Sequence, residues 1–264
     1  FFKDHTIYGA IVALVIPFPL VLMKDKKSDL LAKGFLLLCF TIILIGLYFS
    51  YTRAAWLSVV AGCFVLFLVY FRIKLTYILS LFFVCVLILF FKYDAIQMEL
   101  ARNKQDHTTE AFDQRIKSAA NVTTDASNLE RINRRSCAIE MFKERPFFGF
   151  GPGTFAFEYA RFQEPENKTI ISTNFGNLGN AHSEYLGALS ETGIIGFILF
   201  CGVVIFTMRA SILLVIRSKE VSLETLPLAM GILFSLSTYF THAFLNNFLS
   251  ILFYILIPSI FCIP

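Results

Sequence analysis

Long apolar runs joined by short polar links dominate the chain, and only one polar stretch is longer than a link. The runs fall at 7–23, 34–49, 54–71, 73–91, 194–208, 226–245 and 248–263. Each holds roughly 16–20 residues, close to what a helix rising 1.5 Å per residue needs to cross a ~30 Å hydrocarbon layer. None alternates in and out with the period of a barrel strand, and an open strand would leave its backbone groups unpaired in lipid. The pattern predicts an all-α integral membrane protein with about seven transmembrane helices and one large, partly helical loop. Four helices fall in residues 1–91, the loop in 92–192 and three more helices in 193–264.

Within the loop the pattern changes at Leu129. From Gln97 to Asn128 the chain is polar and, apart from Phe112, poor in aromatics, which predicts helical pieces with mobile links. From Leu129 onward, Leu129, Ile132, Ile139 and Phe142 recur at near-helical spacing, with Arg131, Arg134, Arg135, Glu140 and Lys143 on other faces. That spacing predicts an amphipathic helix over the bundle mouth, ended by Pro146. GFGPG follows, and Gly149, Gly151 and Gly153 permit tight backbone conformations beside a polar group. The second notable segment, HSEYLGALSETG at 182–193, places His182, Leu186, Leu189 and Gly193 on one stripe if it is helical, so that the imidazole points inward.

Composition agrees with a membrane protein: 56% of the 264 residues are hydrophobic, only 16% are charged, and there are 31 Phe against 1 Trp. The net charge of +4 matters less than its distribution. The first link carries Lys24, Lys26, Lys27 and Lys33, the third carries Arg72 and Lys74, and the fifth run is followed by Arg209, Arg217 and Lys219, whereas the opposite short links hold only Arg53. The positive-inside rule puts the nine basic residues in the cytoplasm and the long loop on the exported side, which in a bacterium would be the periplasm or the cell exterior. The loop's own basic residues do not oppose this, because long loops cross largely regardless of charge. The run at 7–23 leads into lysines and not into a small-residue cleavage site, so it reads as a span; the opening FFKDHT reads as the start of the C-terminal part of a longer protein. Five of the six cysteines lie in apolar runs and Cys137 in the loop, with no CxxC spacing, so no paired framework is expected.

Three residues are candidates for chemistry at the exported face. His182 has the residue type of a general base near neutral pH, although a histidine here equally well caps a helix or satisfies a loop carbonyl. Arg53, in SYTRAAW at the exported end of a span, suits a phosphate, a carboxylate or simply a lipid headgroup. Arg131 is either a ligand or part of a solvated helix face. His5 and His242 also fall near exported span ends, and Asn121 and Asn167 begin Asn-x-Thr patterns that are frequent by chance.

Taken together, YTRAAW at 51–56, ERINRRSCAIEMFKERPFFGFGPGTF at 130–155 and NAHSEYLGALSETGIIG at 180–196 resemble the O-antigen ligase and polymerase family. The resemblance places His182, Ser183, Leu186 and Gly193 in the family's histidine-to-glycine pattern, matches Arg53 to the arginine of its Thr-x-Ser-Arg-like segment, and matches Arg131 to the arginine of its loop helix. Two departures stand out: Tyr51 and Thr52 precede Arg53 where Ser is usual, and Arg135 stands where many members carry Trp.

What the resemblance implies is transfer of a glycan from an undecaprenyl diphosphate carrier to a saccharide acceptor, lipid A core in a ligase, at the periplasmic membrane face. It implies His182 as the base, Arg53 and Arg131 as diphosphate-binding residues, and a reaction with no metal or other cofactor. Alternatives within this chemistry are a repeat-unit polymerase and a protein O-oligosaccharyltransferase. From another class, a transporter of lipid-linked substrate would place its ionisable residues near mid-membrane, where the apolar runs hold none. Nucleic acid is not an expected partner.

Overall fold

In a computed structural model the protein is described at residues 5–24, 29–74, 76–77, 126–165, 168, 172, 180–221 and 224–246. Among these residues the regular structure is entirely helical: α1 (His5–Val15), α2 (Pro17–Met23), α3 (Leu30–Phe49), α4 (Arg53–Tyr70), α5 (Ala126–Glu144), α6 (Phe155–Glu158), a 3-10 turn (Tyr159–Phe162), α7 (Glu184–Val221) and α8 (Leu226–Leu245). Five stretches are long and apolar enough to cross a membrane: Thr6–Met23, Leu30–Phe49, Arg53–Tyr70, Glu184–Val221 and Leu226–Leu245. The predicted spans at 73–91, from 78 onward, and at 248–263 lie outside the described residues. So does the polar part of the loop before α5.

Local chemistry accounts for the helix ends. The first span is two helices because Pro17 lacks the N–H that would continue α1, and it sits instead at the first position of α2, where none is needed. Asp29 starts α3 by accepting a 2.8 Å bond from Ala32 N–H. Between α3 and α4, Tyr51 turns with φ 49, and the Ser50 hydroxyl donates to Leu47 O while accepting from Thr52 N–H. This short turn presents Arg53 as the first residue of α4.

Small residues let the helices approach. A Cβ on Gly62 of α4 would meet Thr238 Oγ1 of α8 at 2.7 Å and the Phe234 ring at 3.1 Å, so glycine is what allows this crossing. Ala13, Ile16, Leu47, Ala55 and Phe234 form one apolar core, and Val215, Ala229 and Leu233 another. Two buried hydroxyls return to their own helix: Ser58 donates to Ala55 O and Ser237 to Leu233 O, both at 2.7 Å. Across helices, Ser235 Oγ donates to Leu14 O at 2.8 Å.

Two contacts set the polarity of the bundle. Arg72 pairs with Glu220 at 2.5 Å, and Lys219 Nζ donates to Tyr70 O at 2.8 Å, so the C-terminal ends of α4 and α7 share one end. Arg53 and the start of α7 therefore belong to the other.

Candidate functional site

The helix carrying the second notable segment does not run straight. Gly193 has φ 65 and ψ −166, outside any helix. The rings of Tyr185 and Phe200 nonetheless lie 5.2 Å apart between centroids, whereas fifteen residues of unbroken helix would separate them by about 22 Å. The chain doubles back at Gly193. A short arm, residues 184–192, lies beside the start of the long span and against the end of α8, where Tyr185 meets Phe244 and Tyr239 donates to the buried carboxylate of Glu184 at 2.9 Å.

The glycine-rich turn docks onto this break, backbone against backbone. Carbonyls released from helical pairing at the kink are used at once: Ser190 O accepts from Phe150 N–H at 3.2 Å and Glu191 O from Gly151 N–H at 2.8 Å. In return Ile194 N–H donates to Pro146 O at 2.8 Å. The Glu191 carboxylate takes Gly153 N–H at 2.9 Å and Phe155 N–H at 3.1 Å, which fixes the start of α6. The polar group beside these glycines is thus the protein's own glutamate. Arg145 and Arg161 brace the turn from outside, at 4.5 and 5.1 Å from the Phe150 ring centroid.

Helix α5 packs over this junction and ends at Glu144, two residues before Pro146, as the sequence predicts. Its buried face is not the predicted one. Ile132 and Ile139 are 36% and 42% exposed, while Glu130, Asn133, Cys137, Ala138 and Met141 are buried. The reason is steric and polar together: Cys137, Ala138 and Met141 fill a tight core with Phe155, Tyr159 and Ala181, and the polar members of the face find partners. Asn133 Nδ2 donates to Gln163 Oε1 at 3.1 Å. Glu130 accepts from Arg134 Nε at 2.7 Å and from the Ser172 hydroxyl. Burial alone would raise the Glu130 pKa, but those two bonds and the Arg134 charge outweigh it and hold the carboxylate ionised.

His182 is not on a helical stripe, contrary to the sequence-based expectation. It lies in the turn before α7 with φ 48; its N–H donates to Asn180 Oδ1 at 3.0 Å, and Ser183 begins the arm by accepting from Gly187 N–H at 2.9 Å. A short Asn-anchored turn competes well with helix at this position, because the side chain supplies the acceptor. Partial burial, then the charges of Arg134, Arg131 and Arg135, lower the His182 pKa to about 4, with Glu130 opposing. The imidazole is neutral at pH 7 and free to accept a proton, but as a weaker base than a histidine in water.

The structure therefore brings Arg131 and His182 together electrostatically and adds two arginines that sequence reasoning left on a solvated face. Arg131, Arg134 and Arg135 stand at i, i+3 and i+4, one flank of a helix, and that spacing was the available signal. Arg53 is exposed, and its charge is not among those acting most strongly on His182. It does share the site's end of the bundle: it lies about 14 Å beyond Gly62, while Asn246 lies about 12 Å beyond Thr238, the residue facing Gly62. Among the described residues no cluster of three His, Cys, Asp or Glu side chains stands where it would hold a metal ion.

Residues 35–201 match a family model described as O-antigen ligase, more than half of the chain and a stretch that includes Arg53, Arg131 and His182. No curated protein matches the chain.

Proposed function

The chain belongs to the O-antigen ligase family, and on that premise we propose that it moves a glycan from an undecaprenyl diphosphate carrier to a saccharide acceptor, lipid A core oligosaccharide, at the periplasmic face of a bacterial inner membrane. Family membership makes it a multi-pass membrane enzyme of the glycosyltransferase-like, O-antigen ligase or polymerase type. The donor, the acceptor and the side of the membrane are the proposal.

One observation carries it: a neutral imidazole beside three guanidinium groups at the mouth of a helical bundle. An acceptor hydroxyl attacks the anomeric carbon, its proton passes to His182, and the bond from that carbon to the phosphate oxygen breaks with the electron pair leaving on the diphosphate. Arg131 and Arg53 bind the diphosphate and stabilise the charge that grows on it, as charge-assisted bonds do best in a site of low polarity. The same field tunes the base. Burial first, and then the positive charges, hold the His182 pKa down in the free enzyme; an arriving diphosphate offsets the charges, so the imidazole becomes a stronger base when the donor is bound. Charge on the leaving group is then met by guanidinium groups without a metal.

The test is complementation of a strain lacking the native enzyme with the full-length protein. His182→Ala abolishes glycan attachment while membrane insertion persists; wild-type attachment would remove His182 from catalysis. Arg53→Lys also lowers transfer, because a point charge does not reproduce the planar fork. Purified enzyme keeps its activity with chelator present. Gel banding of the surface glycan identifies the acceptor: loss of all attached glycan marks a ligase, whereas retained single units mark a polymerase.

A further inference from the structure

The three arginines beside His182 are not equivalent. Arg134 is committed to the fold: its Nε donates to Glu130 at 2.7 Å and its guanidinium lies 5.1 Å from the Tyr159 ring centroid. Arg131 is also engaged by an interaction of its own. Arg135 differs. Its Nη2 reaches the carbonyl oxygen of His182 at 3.5 Å, the outer limit of a hydrogen bond, and its Nε–H is buried without a hydrogen-bond partner among the described residues.

A buried guanidinium donor left unpaired is costly, and a ligand that takes it up is one way in which that cost is offset. The neighbouring carboxylate does not fill that role, since Glu130 is already held by Arg134 and Ser172. A guanidinium with an unpartnered Nε–H suits a planar or tetrahedral oxyanion, which it binds through two parallel N–H bonds once the side chain turns that edge to the ligand.

We propose that Arg135 is a further phosphate ligand of the site: its guanidinium takes an oxygen of the substrate diphosphate on one edge while its Nη2 steadies the His182 carbonyl on the other. This rests on the reading that the donor is a lipid diphosphate. Phosphate binding is thereby tied to the turn that carries the imidazole, so donor and base are positioned by one side chain. Arg135 does not itself move a proton.

The experiment measures binding of undecaprenyl diphosphate, and separately of inorganic pyrophosphate, to the full-length protein in nanodiscs, for wild type, Arg135→Gln and Arg135→Lys. Glutamine places its amide nitrogen where the Arg135 Nε stands but brings no charge, and it is too short to reach the His182 carbonyl, whereas lysine is long enough to reach it. We expect glutamine to weaken both ligands by roughly tenfold or more, lysine to recover part of the loss, and both variants to melt like wild type. Wild-type affinity in Arg135→Gln overturns the inference and leaves the glycan-transfer reading standing. Equal loss in both variants together with a lowered melting temperature assigns Arg135 to the fold and also overturns it. Wild type that binds neither ligand sinks the donor assignment itself, and this inference with it.

Discussion

Replacing Gly193 by Ala attacks the contact on which the site's geometry rests. Its φ of 65 and ψ of −166 fall in a region open almost only to glycine, a cost of about 1–3 kcal/mol for any other residue. An added Cβ would stand 2.3 Å from Phe147 O, 2.4 Å from its carbonyl carbon and 2.6 Å from Phe148 N. These are backbone atoms and do not swing aside. The turn must lift, which strains the bonds from Phe150, Gly151 and Ile194 N–H, each worth about 0.5–1.5 kcal/mol net. Loss of all three bonds with the backbone cost comes to roughly 3–7 kcal/mol of local stability. Gly149→Ala breaks the same contact from the other side, its Cβ 2.4 Å from the carbonyl of Glu191. The double variant should therefore cost far less than the two singles added, because both remove one interface. Gly153→Ala is the control: at φ 76 with nothing within 4 Å of its Cβ, it costs only about 1–2 kcal/mol for the left-handed backbone. Cys137 reports the opening, since it is fully buried in the core beside the turn and its thiol pKa is pushed up to about 11 by burial and the nearby Glu130 charge. A water-soluble maleimide should label it at least about a hundredfold faster in Gly193→Ala than in wild type, as the opening free energy falls. Wild-type labelling in Gly193→Ala, or strict additivity in the double variant, would refute the interlocked turn.

Three further outcomes follow from the same geometry. The folded pKa of His182, about 4, lies below the ordinary 6.5, so as pH falls the unfolded chain protonates first; stability should be full above about pH 6.5 and decline by roughly 3 kcal/mol towards pH 4, and kcat/KM should stay flat to about pH 5, so an acid limb at 6.5 would show that His182 is neither buried nor held in the arginine field. Glu191→Gln keeps the shape but leaves one acceptor oxygen for the Gly153 and Phe155 N–H groups, and should lower stability by about 2–3 kcal/mol and speed Cys137 labelling; unchanged labelling would count against the carboxylate pin. At the opposite end of the bundle, Arg72→Gln removes an ion pair whose side chains are 50% and 56% exposed, so melting should shift by no more than about 1 kcal/mol permits, and a larger loss would mean the pair is shielded from solvent.

Several features were legible in the sequence because they depend on length and periodicity alone. Apolar runs long enough to cross a bilayer are helices whatever packs beside them, since lipid offers the backbone no other partner, and five of the predicted spans stand in the described residues. The end of α5 before Pro146 and the value of the glycines after it were readable for the same local reason. The family resemblance was readable as well, and the match over residues 35–201 bears it out. What the sequence could not settle is which face of α5 is buried. Hydrophobicity pointed to Ile132 and Ile139, but close packing against the 155–163 segment selected Cys137, Ala138 and Met141 and paired Asn133 and Glu130 with partners 30 and 42 residues away. Nor could periodicity reveal the reversal at Gly193, because a doubled-back helix and a straight one share the same spacing of side chains. The low basicity of His182 is decided the same way, by burial and by charges from a helix some fifty residues earlier in the chain. Local rules determined what the elements are; only contacts between distant segments, where sterics and unscreened charge act across space, determined how they meet.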